Sequence, residues 1–187
     1  MNQPIAFLLL VFALASCSSE QRQVSTEQYF DLQTFVAGQI DELNALHPNV
    51  EKTVVSGKEQ ETRQLATINW TKELDLFVQA DLNKPAYRNS YQVEKPTEYS
   101  IVYRARPGEE VPVKYLKIEL DPAQKKPRSV EATVTSENYL YNSEKRLLMH
   151  CSPDGKGNWL VRDYQVSGYQ QLAFFDKKPF EVKGKVL

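Results

Sequence analysis

Two cysteines, two histidines, two methionines and two tryptophans are all that 187 residues hold of the scarce side chains. So few cysteines exclude a disulfide-stapled scaffold, which needs several. A zinc site of Cys and His would need nearly all of them in one place. An excess of one charge is missing too: 23 basic and 24 acidic side chains leave a net −1. That balance gives no general pull toward nucleic acid or an acidic bilayer, and nucleic acid is not an expected partner. No apolar run approaches the roughly 20 residues of a membrane-spanning helix. Catalytic spacings are absent as well: no G-x-S-x-G, H-E-x-x-H, G-x-x-x-x-G-K-[ST] or G-x-G-x-x-G occurs. The residues therefore predict neither an enzyme nor a cofactor. What remains, 41% hydrophobic and 25% charged, is the make-up of a folded globule, and the length suits one domain.

The longest apolar run is 5–15, which carries no charge. Its length fits the core of a secretory signal, typically about 7 to 15 residues. One feature departs from that pattern: Met1 to Pro4 contain no Lys or Arg. Leu14, Ala15, Ser16 and Cys17 follow directly. This tetrad resembles the lipobox of bacterial lipoproteins: an aliphatic residue, two small residues, then cysteine. The resemblance implies signal-peptidase recognition through Leu14, Ala15 and Ser16, and cleavage before Cys17. It also implies lipidation of the Cys17 sulfur and amino group with palmitate-type chains. Cysteine suits the chemistry because its thiolate is the nucleophile. The competing readings are a plain secretory signal, or a buried helix that happens to end in cysteine. Each buried methylene stabilises by about 0.8 kcal/mol, so two or three chains would anchor the protein durably. Ser18, not Asp, follows Cys17. Among enterobacterial lipoproteins that pattern resembles outer-membrane sorting, and the choice between cell membrane and outer membrane stays open.

On this reading residues 1–16 are a cleaved signal peptide, 17–24 a lipidated tether, and 25–187 a single domain. The polar stretch 18–24 spans roughly 25 Å extended, which keeps the domain close to its bilayer. Cys151 becomes the only free thiol and is best buried.

Within the domain, Ser25 and Gln28 have the S-x-x-Q form of a capping box. Tyr29, Leu32, Val36, Ile40 and Leu43 then recur at helical spacing. A helix is expected over 25–46, ended by His47-Pro48. Two short strands are expected over 50–65, turning at Ser56-Gly57-Lys58. Asn69 is a good N-cap for a second helix over 70–82. The rest reads as strand. Alternation is plain at Leu116, Ile118 and Leu120, and at Val130, Ala132 and Val134. Strands at 139–141 and 146–151 are expected to join at Asn142-Ser143-Glu144. Ser152-Pro153-Asp154-Gly155 is the clearest turn signal; 159–172 and 180–186 complete the pattern. The expectation is an α+β fold: a mainly antiparallel sheet of about seven to nine strands, with two amphipathic helices of the N-terminal third packed on one face.

Three groups of residues could carry chemistry or contacts. His150-Cys151 suggests a nucleophilic pair, but neighbours on a strand point to opposite faces, so a buried thiol and a half-exposed imidazole are expected. Lys125, Lys126 and Arg128 form one small basic loop and Lys177 and Lys178 another. Either would suit lipid head groups or phosphates, although a solvated turn is the ordinary role of short charge runs. Ten tyrosines complete the set. Tyr139, Tyr141, Trp159 and Tyr164 are the candidates for a ligand or partner surface, against the plain strand preference of aromatic residues.

The layout resembles bacterial lipid- and lipoprotein-handling proteins, in which an antiparallel sheet cups helices around an apolar cavity. Thr135 to Tyr141 followed by Lys145 to Met149 is similar to their strand–turn–strand rhythm. The chain also resembles uncharacterised envelope lipoproteins of like length. The first expectation is a membrane-anchored, non-catalytic interaction module with an envelope protein partner. The second is an apolar-ligand binder with a cavity of about 300 Å³ or more, and the third an enzyme with no recognisable motif.

Overall fold

Seven consecutive strands of the C-terminal half run as an antiparallel meander, which an N-terminal hairpin extends at one edge. The computed structural model describes residues 28–187. Element order is α1 (Leu32–Leu46), β1 (Val50–Ser56), β2 (Glu59–Leu65), α2 (Trp70–Glu73) and α3 (Asp75–Gln79). After a 3-10 turn at Pro85–Tyr87 come β3 (Tyr91–Thr97), β4 (Ser100–Ala105), β5 (Val113–Leu120) and β6 (Pro127–Asn138). The chain ends with β7 (Tyr141–Pro153), β8 (Trp159–Leu172) and β9 (Lys178–Val186). The nine strands form one sheet in the order β2-β1-β9-β8-β7-β6-β5-β4-β3. The protein is mainly β, with few helices.

Alternation decides the faces. Val50, Leu116, Ile118, Val130, Ala132, Leu147, Met149 and Val186 are buried on one face, the core face. Their strand neighbours Glu51, Lys117, Glu131, Leu148 and Lys185 take the other, because side chains alternate along a strand. Each fully buried aliphatic side chain contributes about 2 kcal/mol. At the bulge between His150 and Cys151 the β8 register slips by one residue.

Helix α1 starts later than the capping box suggested. Its N-cap is Asp31, whose carboxylate accepts from the Thr34 N–H at 2.8 Å; Ser25 lies outside the described residues. The buried Asp81 carboxylate also accepts from the Leu32 N–H at 3.1 Å. Two acidic groups thus meet the positive end of the helix, where an anion is favoured. The helix stops at His47, which turns left-handed at φ 46°. The single second helix expected over 70–82 is in fact α2 and α3, broken at Leu74. Asn69 caps α2 as expected, accepting from the Lys72 N–H.

Gln39 binds α1 to the sheet. It is buried, its Nε2 donates to the Trp159 carbonyl at 3.0 Å, and its Oε1 accepts from the Val161 N–H at 2.8 Å. These β8 backbone groups lie next to the bulge, where ladder pairing is disturbed. Gln39→Leu strands a buried donor and a buried acceptor, each costing about 1–3 kcal/mol. The urea midpoint should fall accordingly, while Gln33→Leu, on the exposed side of α1, should leave it nearly unchanged.

Candidate functional site

Two grooves and one exposed apolar cluster stand out among the described residues. The first groove, about 350 Å³, opens on the core face beside α2 and α3. Leu76, Val166, Phe180 and Val182 supply its apolar lining, and Lys52, Lys72, Lys145 and Glu73 its charge. The Glu73 carboxylate is already engaged: Lys52 Nζ lies 2.7 Å away and the Tyr164 hydroxyl donates to it at 2.8 Å. Among the described residues Lys72 and Lys145 have no ion-pair partner. The groove therefore combines apolar lining with an excess of positive charge.

The second groove, about 380 Å³, lies on the outer face; Glu51, Thr53, Arg162, Asp163, Gln165, Lys183 and Lys185 line it together with Tyr164, Gly184 and Val186. Cross-strand register puts Ser129, His150, Asp163, Lys185 and Glu51 in one row. Within it His150 Nδ1 and Asp163 Oδ1 are 2.7 Å apart, both well exposed. Cys151 faces the other way and is 2% exposed. Burial, with a smaller push from Asp163, raises its thiol to about 12. The thiol is held neutral and away from His150, an arrangement without nucleophilic character.

The four aromatic candidates do not share one surface. Trp159 and Tyr164 are core residues, 6% and 2% exposed. Trp159 donates its indole N–H to the Pro127 carbonyl at 2.8 Å, and Tyr164 packs edge-on to Trp70 with ring centroids 6.4 Å apart. Tyr139 is 91% exposed and Tyr141 half-buried. The reason is a shifted turn. The hairpin reverses at Tyr139-Leu140, and Asn142-Ser143-Glu144 lie inside β7.

Around that turn sits the exposed cluster that the sequence reading missed. Leu140 and Leu172 are 60% and 57% exposed, Phe175 63% and Phe174 fully exposed. The β6–β7 and β8–β9 tips are neighbours: Tyr141 pairs with Leu172, and the Ala173 N–H donates to the Leu140 carbonyl at 2.9 Å. Its signal in the sequence was the pair Phe174-Phe175 next to Asp176-Lys177-Lys178, where a hairpin turn ordinarily has polar residues.

The basic loops are partly spoken for. Lys125 pairs with Glu98 at 3.0 Å and covers the Tyr99 ring at 4.0 Å. Lys177 lies over the Tyr169 ring at 4.1 Å. Among the described residues no group of three or more His, Cys, Asp or Glu is placed to hold a metal ion. No described helix is long and apolar enough to cross a membrane. Leu14, Ala15, Ser16 and Cys17 lie outside the described residues.

No known family, no curated protein and no solved structure matches this chain.

Proposed function

We propose that this is a bacterial envelope lipoprotein, anchored outside the cytoplasm through acylated Cys17, whose domain is a non-catalytic binding module. In this reading two amphipathic helical regions, α1 and the α2–α3 pair, lie over one face of the sheet. The observation that carries the binding role is the groove beside α2 and α3. Its lysines Lys72 and Lys145 have no ion-pair partner among the described residues, and Leu76, Val166, Phe180 and Val182 line it with apolar surface, a combination that suits an acidic or amphipathic segment of an envelope partner. Binding an apolar ligand is the second reading, favoured by the same groove, whose volume lies at the lower end of small-molecule sites. It is not favoured beneath α1, where Leu32, Val36 and Leu43 are fully buried.

Two measurements test this. Cys17→Ala should leave the chain unacylated and move it out of the membrane fraction; unchanged acylation and retention refute the anchor. Native mass spectrometry of the acylated protein from its own membrane should then show a stoichiometric protein partner, lost in Lys72→Glu/Lys145→Glu. A co-purifying lipid lost in the same variant instead supports the ligand reading. A partner kept by that variant removes the groove from the account.

A further inference from the structure

Phe174 is the least expected side chain on the surface. It sits in the left-handed region at φ 69° with its ring fully exposed. A bulky residue in that conformation is an outlier, and hairpin turns needing it ordinarily use glycine or asparagine. The fold accepts a disfavoured backbone here and gains no burial of the ring for it. Such a cost at an exposed tip points to a role outside the domain.

Phe174 is not alone. Tyr139, Leu140, Leu172 and Phe175 are exposed on the same two hydrogen-bonded tips. Scattered exposed apolar residues need no explanation, but a contiguous cluster marks a contact surface. Lys177 and Lys178 follow after Asp176. Phenyl, tyrosyl and lysyl side chains side by side are what a membrane interface favours: rings at the headgroup level and ammonium groups among the phosphates.

The register places this cluster at one end of the sheet, and the start of the domain is at the same end. Tyr91 pairs with Ala105, Val113 pairs with Val134, and β6 runs on from Val134 to its tip at Asn138. Gln28 donates to Asn89, just ahead of Tyr91, at 3.2 Å. The chain therefore reaches the domain at the end where the tips protrude. From Cys17 to Gln28 an extended chain covers about 36 Å. The lateral step from β3 to β8 crosses five strand spacings, about 24 Å. A lipid on Cys17 and the two tips can reach one bilayer together.

We propose that the β6–β7 and β8–β9 tips enter the headgroup region of the bilayer that holds Cys17, with Phe174 and Phe175 at the acyl boundary and Lys177 and Lys178 at the phosphates. This rests on the lipid-anchor reading above. It adds an orientation: the sheet stands end-on to the membrane, with the 121–127 loop facing away. Helix α1, which runs from the Asp31 end, is likewise directed away from the bilayer. The two or three chains on Cys17 supply durable residence, and the tips add the pose.

The test uses the acylated full chain in vesicles of phosphatidylglycerol and phosphatidylcholine with brominated acyl chains. Phe174→Trp places a depth probe at the tip. Gln124→Trp, exposed in the loop at the far end of the sheet, is the control. The buried Trp70 and Trp159 give a background subtracted with the wild-type chain. The position-174 emission should shift to the blue and lose roughly half its intensity to bromine, because an interfacial side chain sits about 5–10 Å deep. The position-124 emission should do neither. Flotation reads the anchor separately: a chain that floats while position 174 stays unquenched overturns the tip proposal alone. A chain from its own membrane that lacks an acyl group at Cys17 overturns the anchor. The tips are then read by adding the same vesicles to that chain, with quenching for the proposal and none against it. Phe174→Asn, which relieves the backbone, keeps the fold and should raise the mobility of a spin label at position 139 on vesicles; an unchanged label counts against insertion. A photo-crosslinker at position 174 in the native envelope should yield acyl-chain adducts, and a protein adduct in their place overturns the proposal.

Discussion

Valine at position 184 should remove roughly 3 kcal/mol of stability, a large share of what a domain of this size has. Gly184 lies in β9 directly opposite Tyr164 in β8, and the tyrosine ring covers it. A Cβ at 184 would collide with Cζ, Oη and Cε1 of that ring. The ring has no free direction. Its hydroxyl donates to Glu73, its flank meets Trp70, and it is 2% exposed. Moving it strips Glu73 of one of its two partners and leaves Lys52 as the other. The loss thus combines overpacking with a broken polar contact. Urea unfolding of Gly184→Val measures it, and a midpoint within error of wild type rules the account out. Tyr164→Leu should cost stability alone yet restore part of it in Gly184→Val. The two residues are in contact, so a coupling of about 1–3 kcal/mol is expected. Tyr164 also lines the groove beside α2 and α3, so the double variant is also a test of whether Lys52 needs Tyr164 to stay on Glu73.

That contact explains why part of the protein was legible in its sequence and part was not. Where one face of a strand is buried, alternation is strict and the boundaries follow. The β8 range is as expected, and β1 and β2 turn at Ser56-Gly57-Lys58. Strand β3 was not foreseen because all but its first residue is exposed. An edge strand with Lys95 and Pro96 carries no apolar alternation, and these residues are how edges avoid further pairing. The hairpin at Tyr139-Leu140 was missed for the opposite reason: apolar residues sit in the turn and polar ones, Asn142 to Glu144, in the strand. Tyrosine ambiguity is deeper. Tyr164 and Tyr139 are the same residue type in similar company, yet one is pinned in the core and the other stands in water. Tyr164 lies in β8 opposite Gly184 and Tyr139 in the β6–β7 turn, and pairing across strands is a long-range fact that local pattern does not contain. Gln39 is comparable. It occupies a position of the buried α1 stripe between Val36 and Leu43, and its meaning depends on two backbone groups of β8. The groove and the exposed tips are likewise products of register.

Stability should fall steeply between pH 9 and 12, and the groups responsible are buried acids that are neutral when protonated. Burial raises the Cys151 thiol from 9.0 to about 12. Burial also raises Tyr164, whose hydroxyl is bonded to the Glu73 carboxylate, and Tyr91, where Tyr87, Tyr29 and Glu109 add to it. Tyr103 is raised less simply: burial pushes it up while the Phe30 N–H, donating to its oxygen, pulls it down. Among the described residues the buried Tyr91 hydroxyl has no hydrogen-bond partner, so none of them would stabilise a phenolate there. The sign follows from proton counting. Below the unfolded values, about 9 for the thiol and 10 for the phenols, both states hold these protons and stability is unaffected. Above them the unfolded chain releases protons that the folded chain keeps, so stability falls as pH rises. Each such group contributes about 1.4 kcal/mol per pH unit within its own window. Cys151 alone then removes about 3 kcal/mol by pH 11, and the phenols add to it. Urea midpoints at pH 8, 9, 10 and 11 should stay level at first and then drop. Cys151→Ala should start lower, for the lost packing, but fall more slowly by one proton above pH 9. Tyr91→Phe should do the same above pH 10 without the initial loss, since it deletes an unpaired buried hydroxyl. A wild-type midpoint that stays level to pH 11 contradicts the burial of these groups, and with it the packed sheet face on which both the groove and the tips depend.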